Sequence, residues 1–134
     1  MERLVLVLRI QAAASFAYGV SFMLAPDFTL DTMFGWEGAE TDFARMVGVL
    51  FLSIGWFGVL VARRIGTRLD MVWPLVLVPT LLLAVLLALQ IAGNYAGTDR
   101  FYWSSLVVTV FFAVAVGGSR LAIDRGDAAL PDTA

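Results

Sequence analysis

The chain of 134 residues has no cysteine, no histidine and no lysine. Without cysteine there is no disulfide and no thiolate nucleophile, and without histidine there is no imidazole base and no imidazole metal site. All nine basic residues are arginine, the acids number 11, and charged residues make up only 15% of the chain. No basic patch exists to neutralise phosphates, which excludes nucleic acid as a partner. Of the charged residues only Arg9 and Arg45 fall within the chain's four long apolar stretches, none of which contains Asp or Glu. A proton-coupled exporter needs an intramembrane carboxylate to alternate between substrate and proton, so that activity loses its chemistry here. The glycine-rich, arginine-containing signature of small fluoride channels is missing too. Catalysis would fall to Arg, Tyr, Ser or loop acids, which argues against an enzyme and implies neither cofactor nor metal.

Against these absences stands apolar length. Residues of hydrophobic type form 60% of the chain, concentrated in Leu4 to Leu24, Phe43 to Ala62, Met71 to Ala92 and Phe101 to Gly118. A hydrocarbon core ~30 Å thick needs ~20 helical residues to cross it, and each stretch has about that length. The fold class expected is an all-α membrane protein, a four-transmembrane-helix bundle with a short amphipathic surface helix in its first outer loop. The bundle occupies residues 1–122 and a flexible cytoplasmic tail 123–134. The first stretch is retained rather than cleaved as a signal peptide. Arg9 and Gln11 interrupt what should be a clean apolar region, and the apolar character runs on to Leu24.

Orientation follows from the arginines. Arg3, Arg63, Arg64, Arg68, Arg120 and Arg125 flank the ends that four antiparallel spans bring to one side, with Arg9 near them, while Arg45 and Arg100 fall on the other. The positive-inside bias therefore places both termini in the cytoplasm and the bundle in the inner membrane. Pro26 to Asp42, on the outer side, holds five acids and no base.

Pro26 closes span 1, since proline lacks the donor a helix needs and pushes its predecessor out of the helical region. Leu30, Met33 and Phe34 then share one face of the expected surface helix, with Gly35 as its C-cap. Thr41 or Asp42 is the expected N-cap of span 2. Trp73 and Pro74 mark the start of span 3. Pro79, inside it, leaves the Leu75 carbonyl without its amide partner, and Thr80, a water or a neighbouring helix must satisfy that oxygen. Asn94 to Arg100 forms the second outer turn, with Tyr102 and Trp103 in an interfacial belt. Leu81 to Leu89 is apolar on every face, as a helix facing mostly lipid would be.

Two constellations are candidate sites. Gln11, Ser15 and Tyr18, at i, i+4 and i+7, form a polar line on span 1. With Arg45, whose guanidinium suits an anion, they could bind a small ligand or a lipid head group; otherwise they bond neighbouring helices, and Arg45 pairs with Asp27, Asp42 or Asp99 to pin the acidic loop. The second constellation is one of small residues. Ser105, Thr109, Ala113 and Gly117 recur every fourth position on span 4, and Gly48 and Gly55 do so more loosely on span 2. Such stripes let helix backbones approach closely, within the bundle or at an interface with another subunit.

Leu8-Arg9 and Gly19 in span 1, Ala25-Pro26 closing it, then Arg45-Met46-Val47-Gly48 and Leu52-Ser53-Ile54-Gly55 in span 2 resemble small bacterial four-helix membrane proteins of the DoxX-like kind. The likeness covers chiefly residues 4 to 62. It implies the four-helix membrane bundle and no catalytic residue. The function expected is association in the membrane, as a homo-oligomer or as an accessory subunit of a larger complex, with lipids and other membrane subunits as partners. The alternatives are a small-ligand or lipid-binding bundle with transport or lipid-modifying activity, and an ion or small-solute pore formed by oligomerisation.

Overall fold

The structure, a computed structural model, describes residues 1–36, 40–67, 69–93 and 97–128, with side chains as far as 125. Glu37, Arg68, the turn residues 94–96 and the tail residues 129–134, all invoked above, lie outside that set. The described residues are helical, with no strand among them. The four long helices are α1 (Glu2–Leu24), α2 (Thr41–Arg63), α3 (Val72–Ile91) and α4 (Asp99–Ala128). Each is long and apolar enough to cross a membrane. At ~1.5 Å per residue the 23 residues of α1 reach about 35 Å, more than a ~30 Å core requires.

Local chemistry explains most helix ends. α1 stops at Ala25, whose φ of −137° and ψ of 60° lie outside the helical region, immediately before Pro26. A π-helical stretch, Phe28–Met33, follows in the loop between α1 and α2. Leu30 and Phe34, the residue after the stretch, are buried, whereas Met33 is exposed. Gly35 then turns the chain at φ +63°, so that its own N–H reaches the Asp31 carbonyl at 3.0 Å and the Trp36 N–H reaches Leu30 at 2.8 Å. The N-cap of α2 is Glu40, in extended conformation and without a side-chain cap bond. Thr41 and Asp42, the expected caps, already have helical backbone. Two 3-10 turns, Ile65–Thr67 and Leu69–Met71, lead into α3. α4 continues to Ala128, beyond Gly118 and into the segment expected to be a flexible tail. An ion pair between Arg120 and Asp124, one turn apart, supports that extension.

The helices pack as two hairpins. α1 and α2 touch backbone to backbone: a Cβ placed on Gly48 would lie 2.9 Å from the Gly19 carbonyl and 3.0 Å from the Met23 nitrogen. One on Gly55 would meet the Ala12 carbonyl at 3.1 Å. Any larger residue there must part the helices, because backbone cannot rotate aside as a side chain can. α3 packs chiefly on α4, while α2 and α3 scarcely touch. The hairpins are joined at the arginine-rich end by Leu4, Leu8, Val61, Ala62, Ile65, Val72, Leu75 and Val116. A second core, Phe22, Leu30, Phe34 and Ala44, sits at the other end. Past Leu75, α3 buries no residue.

Candidate functional site

The polar line on α1 begins at the junction of the two hairpins. Gln11 is 5% exposed, and its Nε2 donates to the Leu75 carbonyl across helices at 3.2 Å. That oxygen is the one Pro79 deprives of an amide, so α1 supplies the bond that α3 cannot make for itself. Thr80 does not help, because its hydroxyl donates to the Val76 carbonyl at 2.6 Å. The amide orientation follows from chemistry: a carbonyl only accepts, so the NH₂ must face Leu75. The Gln11 Oε1 is consequently turned away, buried and without a hydrogen-bond partner among the described residues. Ser15, one turn further along α1, is also buried.

Tyr18 belongs to a different environment. Its ring stacks on Phe51 at 5.8 Å, opening a ladder that continues through Phe22, 6.2 Å from Phe51, and Phe34, 6.0 Å from Phe22. Phe34 meets Phe101 edge-on at 5.1 Å, and Trp36 lies 5.6 Å from the same ring. α1, α2, the loop between them and α4 are thus linked by aromatic contacts, each contributing ~0.5–1.5 kcal/mol beyond its buried area. A cavity of about 240 Å³ opens beside the ladder, walled by Phe22, Leu30, Trp36, Phe43 and Phe101, with Glu40 as its charged residue.

Arg45 is separate from the polar line. It pairs with Asp42 at 3.4 Å along its own helix, and the two side chains are 58% and 91% exposed. A pair that open to solvent contributes little, and Arg45 makes no ion pair with a described loop residue. The loop is held instead by Thr98, whose hydroxyl donates to the Phe34 carbonyl at 2.6 Å and accepts the Phe101 N–H at 3.3 Å. Thr98 therefore caps α4 and staples the loop with one oxygen. The Thr98-Asp99 pair is a legible helix-start signal, but its partner Phe34, 64 positions away, is not. Arg120 plays a comparable part at the opposite end, donating from Nε to the Leu69 carbonyl at 3.3 Å.

Among the small residues, Gly48 and Gly55 are buried against α1. Gly117 is buried on α4, with Val76 of α3 at 3.7 Å from the position of a Cβ. Ser105, Thr109 and Ala113 are half-buried. No group of three or more acidic side chains capable of holding a metal occurs among the described residues. The geometry thus brings Gln11 and Ser15 together at the hairpin junction and puts Tyr18 in the aromatic ladder and Arg45 at the surface. Comparison of the chain with protein-family models, curated proteins and solved structures finds no match.

Proposed function

We propose that the protein is an integral protein of the cytoplasmic membrane and works by helix association, as a homo-oligomer or as an accessory subunit of a larger membrane complex. The observation that carries this reading is the small-residue stripe of α4: Ser105, Thr109 and Ala113 are only half-buried within the chain, which leaves surface that a second helix backbone can approach closely. The α3 segment from Leu81 to Leu89 buries no side chain within the chain and, being apolar on every face, is suited to lipid. The polar groups favour the same reading, since Gln11, Thr98 and Arg120 are engaged in holding elements together. In this arrangement the termini face the cytoplasm, and the Phe28–Met33 segment lies on the outer surface as an amphipathic helical strip. The likeness of residues 4 to 62 to DoxX-like proteins agrees with such a small bundle.

Native mass spectrometry of the full chain, purified from its own membranes in mild detergent, tests the proposal. A mass containing a second copy or a different membrane subunit is the expected result, and Ala113→Leu on the α4 stripe should reduce that species. A monomer under all mild conditions would overturn the association reading.

A further inference from the structure

A larger cavity, of about 820 Å³, lies on the flank of the bundle between the start of α1 and the second half of α4. Its volume falls within the ~300–1,000 Å³ of ligand clefts. Its polar side chains lie toward one end. Arg3 and Ser119 sit at the arginine-rich end, among the apolar Leu4, Ala122 and Ile123, and from Gly118 to Val110 the α4 lining is apolar throughout. From Ser119 to Val110 the groove follows nine residues of α4, about 13 Å at ~1.5 Å per residue, close to the depth of one leaflet of a ~30 Å core. The floor is open at Gly118, where a Cβ would meet no atom within 4 Å.

We propose that this groove holds an anionic phospholipid from the leaflet on the side of the N-terminus, with one acyl chain along Val110 to Gly118 and the phosphate at Arg3. This rests on the membrane reading above, but not on association. Charge complementarity selects the occupant. Arg3 is the only charged side chain in the lining, and it makes no ion pair with any described residue. The neighbouring Arg120 is already paired with Asp124. Ser119 cannot donate to a phosphate, because its hydroxyl proton is given to the Ala115 carbonyl at 2.6 Å. Head-group recognition therefore falls chiefly to the guanidinium, whose fork suits phosphate oxygens, with the amino group of Met1, which also lines the groove, beside it. A neutral detergent or a second helix could use the apolar part of the groove but would leave that charge unanswered.

The test is native mass spectrometry of the full chain in non-ionic detergent, titrated with phosphatidylglycerol or phosphatidylcholine bearing identical palmitoyl-oleoyl chains. One arginine near a membrane surface favours an anionic lipid by about fivefold, so the first phosphatidylglycerol should bind about fivefold more tightly than phosphatidylcholine. Arg3→Gln should lose most of that preference, and Arg63→Gln, outside the groove, should preserve it. Gly118→Leu, which fills the floor, should weaken both lipids severalfold; Val114→Trp provides the same obstruction if that variant unfolds. Equal binding of both lipids by the parent, or an undiminished preference in Arg3→Gln, would overturn the proposal. So would a Gly118→Leu variant that loses a second protein copy while keeping its lipid, since the groove would then be a protein interface. Protein mass and lipid adducts are read separately, so loss of the oligomer without loss of lipid preference in the other variants bears on association alone.

Discussion

Gln11 shows how a single residue can complete a neighbouring helix. Its amide replaces the donor removed by Pro79, and this yields a conditional prediction. Gln11→Leu should cost about 1 kcal/mol, because the Leu75 carbonyl is left buried and unpaired. In a Pro79→Ala background the amide at position 79 can bond Leu75 itself, so the same Gln11 substitution should cost close to nothing. Unfolding of the four variants in mixed detergent, followed by circular dichroism, gives the coupling. An equal cost in both backgrounds would mean that Gln11 contributes independently of the proline. The orphaned carbonyl was legible in the sequence, since proline always leaves one four residues back. Its partner was not, because any of several polar side chains could reach that depth and only the docking of α1 against α3 selects among them.

At the scale of elements, the loop between α1 and α2 packs Leu30 and Phe34 on Ala44 of α2, and the side-chain hydrogen bond to its Phe34 carbonyl comes from Thr98 at the start of α4. Thr98→Val should remove both the staple to Phe34 and the cap of α4, speeding hydrogen exchange over residues 27–36 by roughly fivefold, the equivalent of one lost hydrogen bond of ~1 kcal/mol. Arg45→Gln should change that exchange by less than twofold, since an exposed pair within one helix contributes only a few tenths of a kcal/mol. Faster exchange in the Arg45 variant alone would restore the charge-anchor reading. The acids of the loop made Arg45 the natural anchor in sequence, where charge is conspicuous. A threonine bonding a backbone carbonyl leaves no such mark. The glycines of α2 were legible as close-packing residues; that α1 is the helix they receive comes from the pairing of Gly48 with Gly19 and of Gly55 with Ala12.

For the whole molecule, the helix ends near Arg3, Arg63, Arg64 and Arg120 are joined by one core, while Arg45 and Arg100 lie toward the other end. The charge bias then predicts cytoplasmic termini. Alkaline phosphatase fused after Arg125 should be inactive in cells and a cytoplasmic fluorescent reporter at the same site bright; an active phosphatase would reverse the orientation. The number and apolar character of the helices were legible without the fold, because runs of leucine, valine and phenylalanine of about 20 residues, bounded by Pro26 and by charged turns, have few other stable forms; the extension of α4 to Ala128 was not. Composition likewise showed which chemistries are absent, since residue types not in the chain cannot be supplied by folding. Which faces meet was settled by packing: Gly48 against α1, Gly117 against Val76, Tyr18 in an aromatic ladder, and a flank of α3 left open. Helices this uniformly apolar offer little pattern to distinguish one face from another, so the choice rests on steric fit between particular backbones and on a few long-range hydrogen bonds.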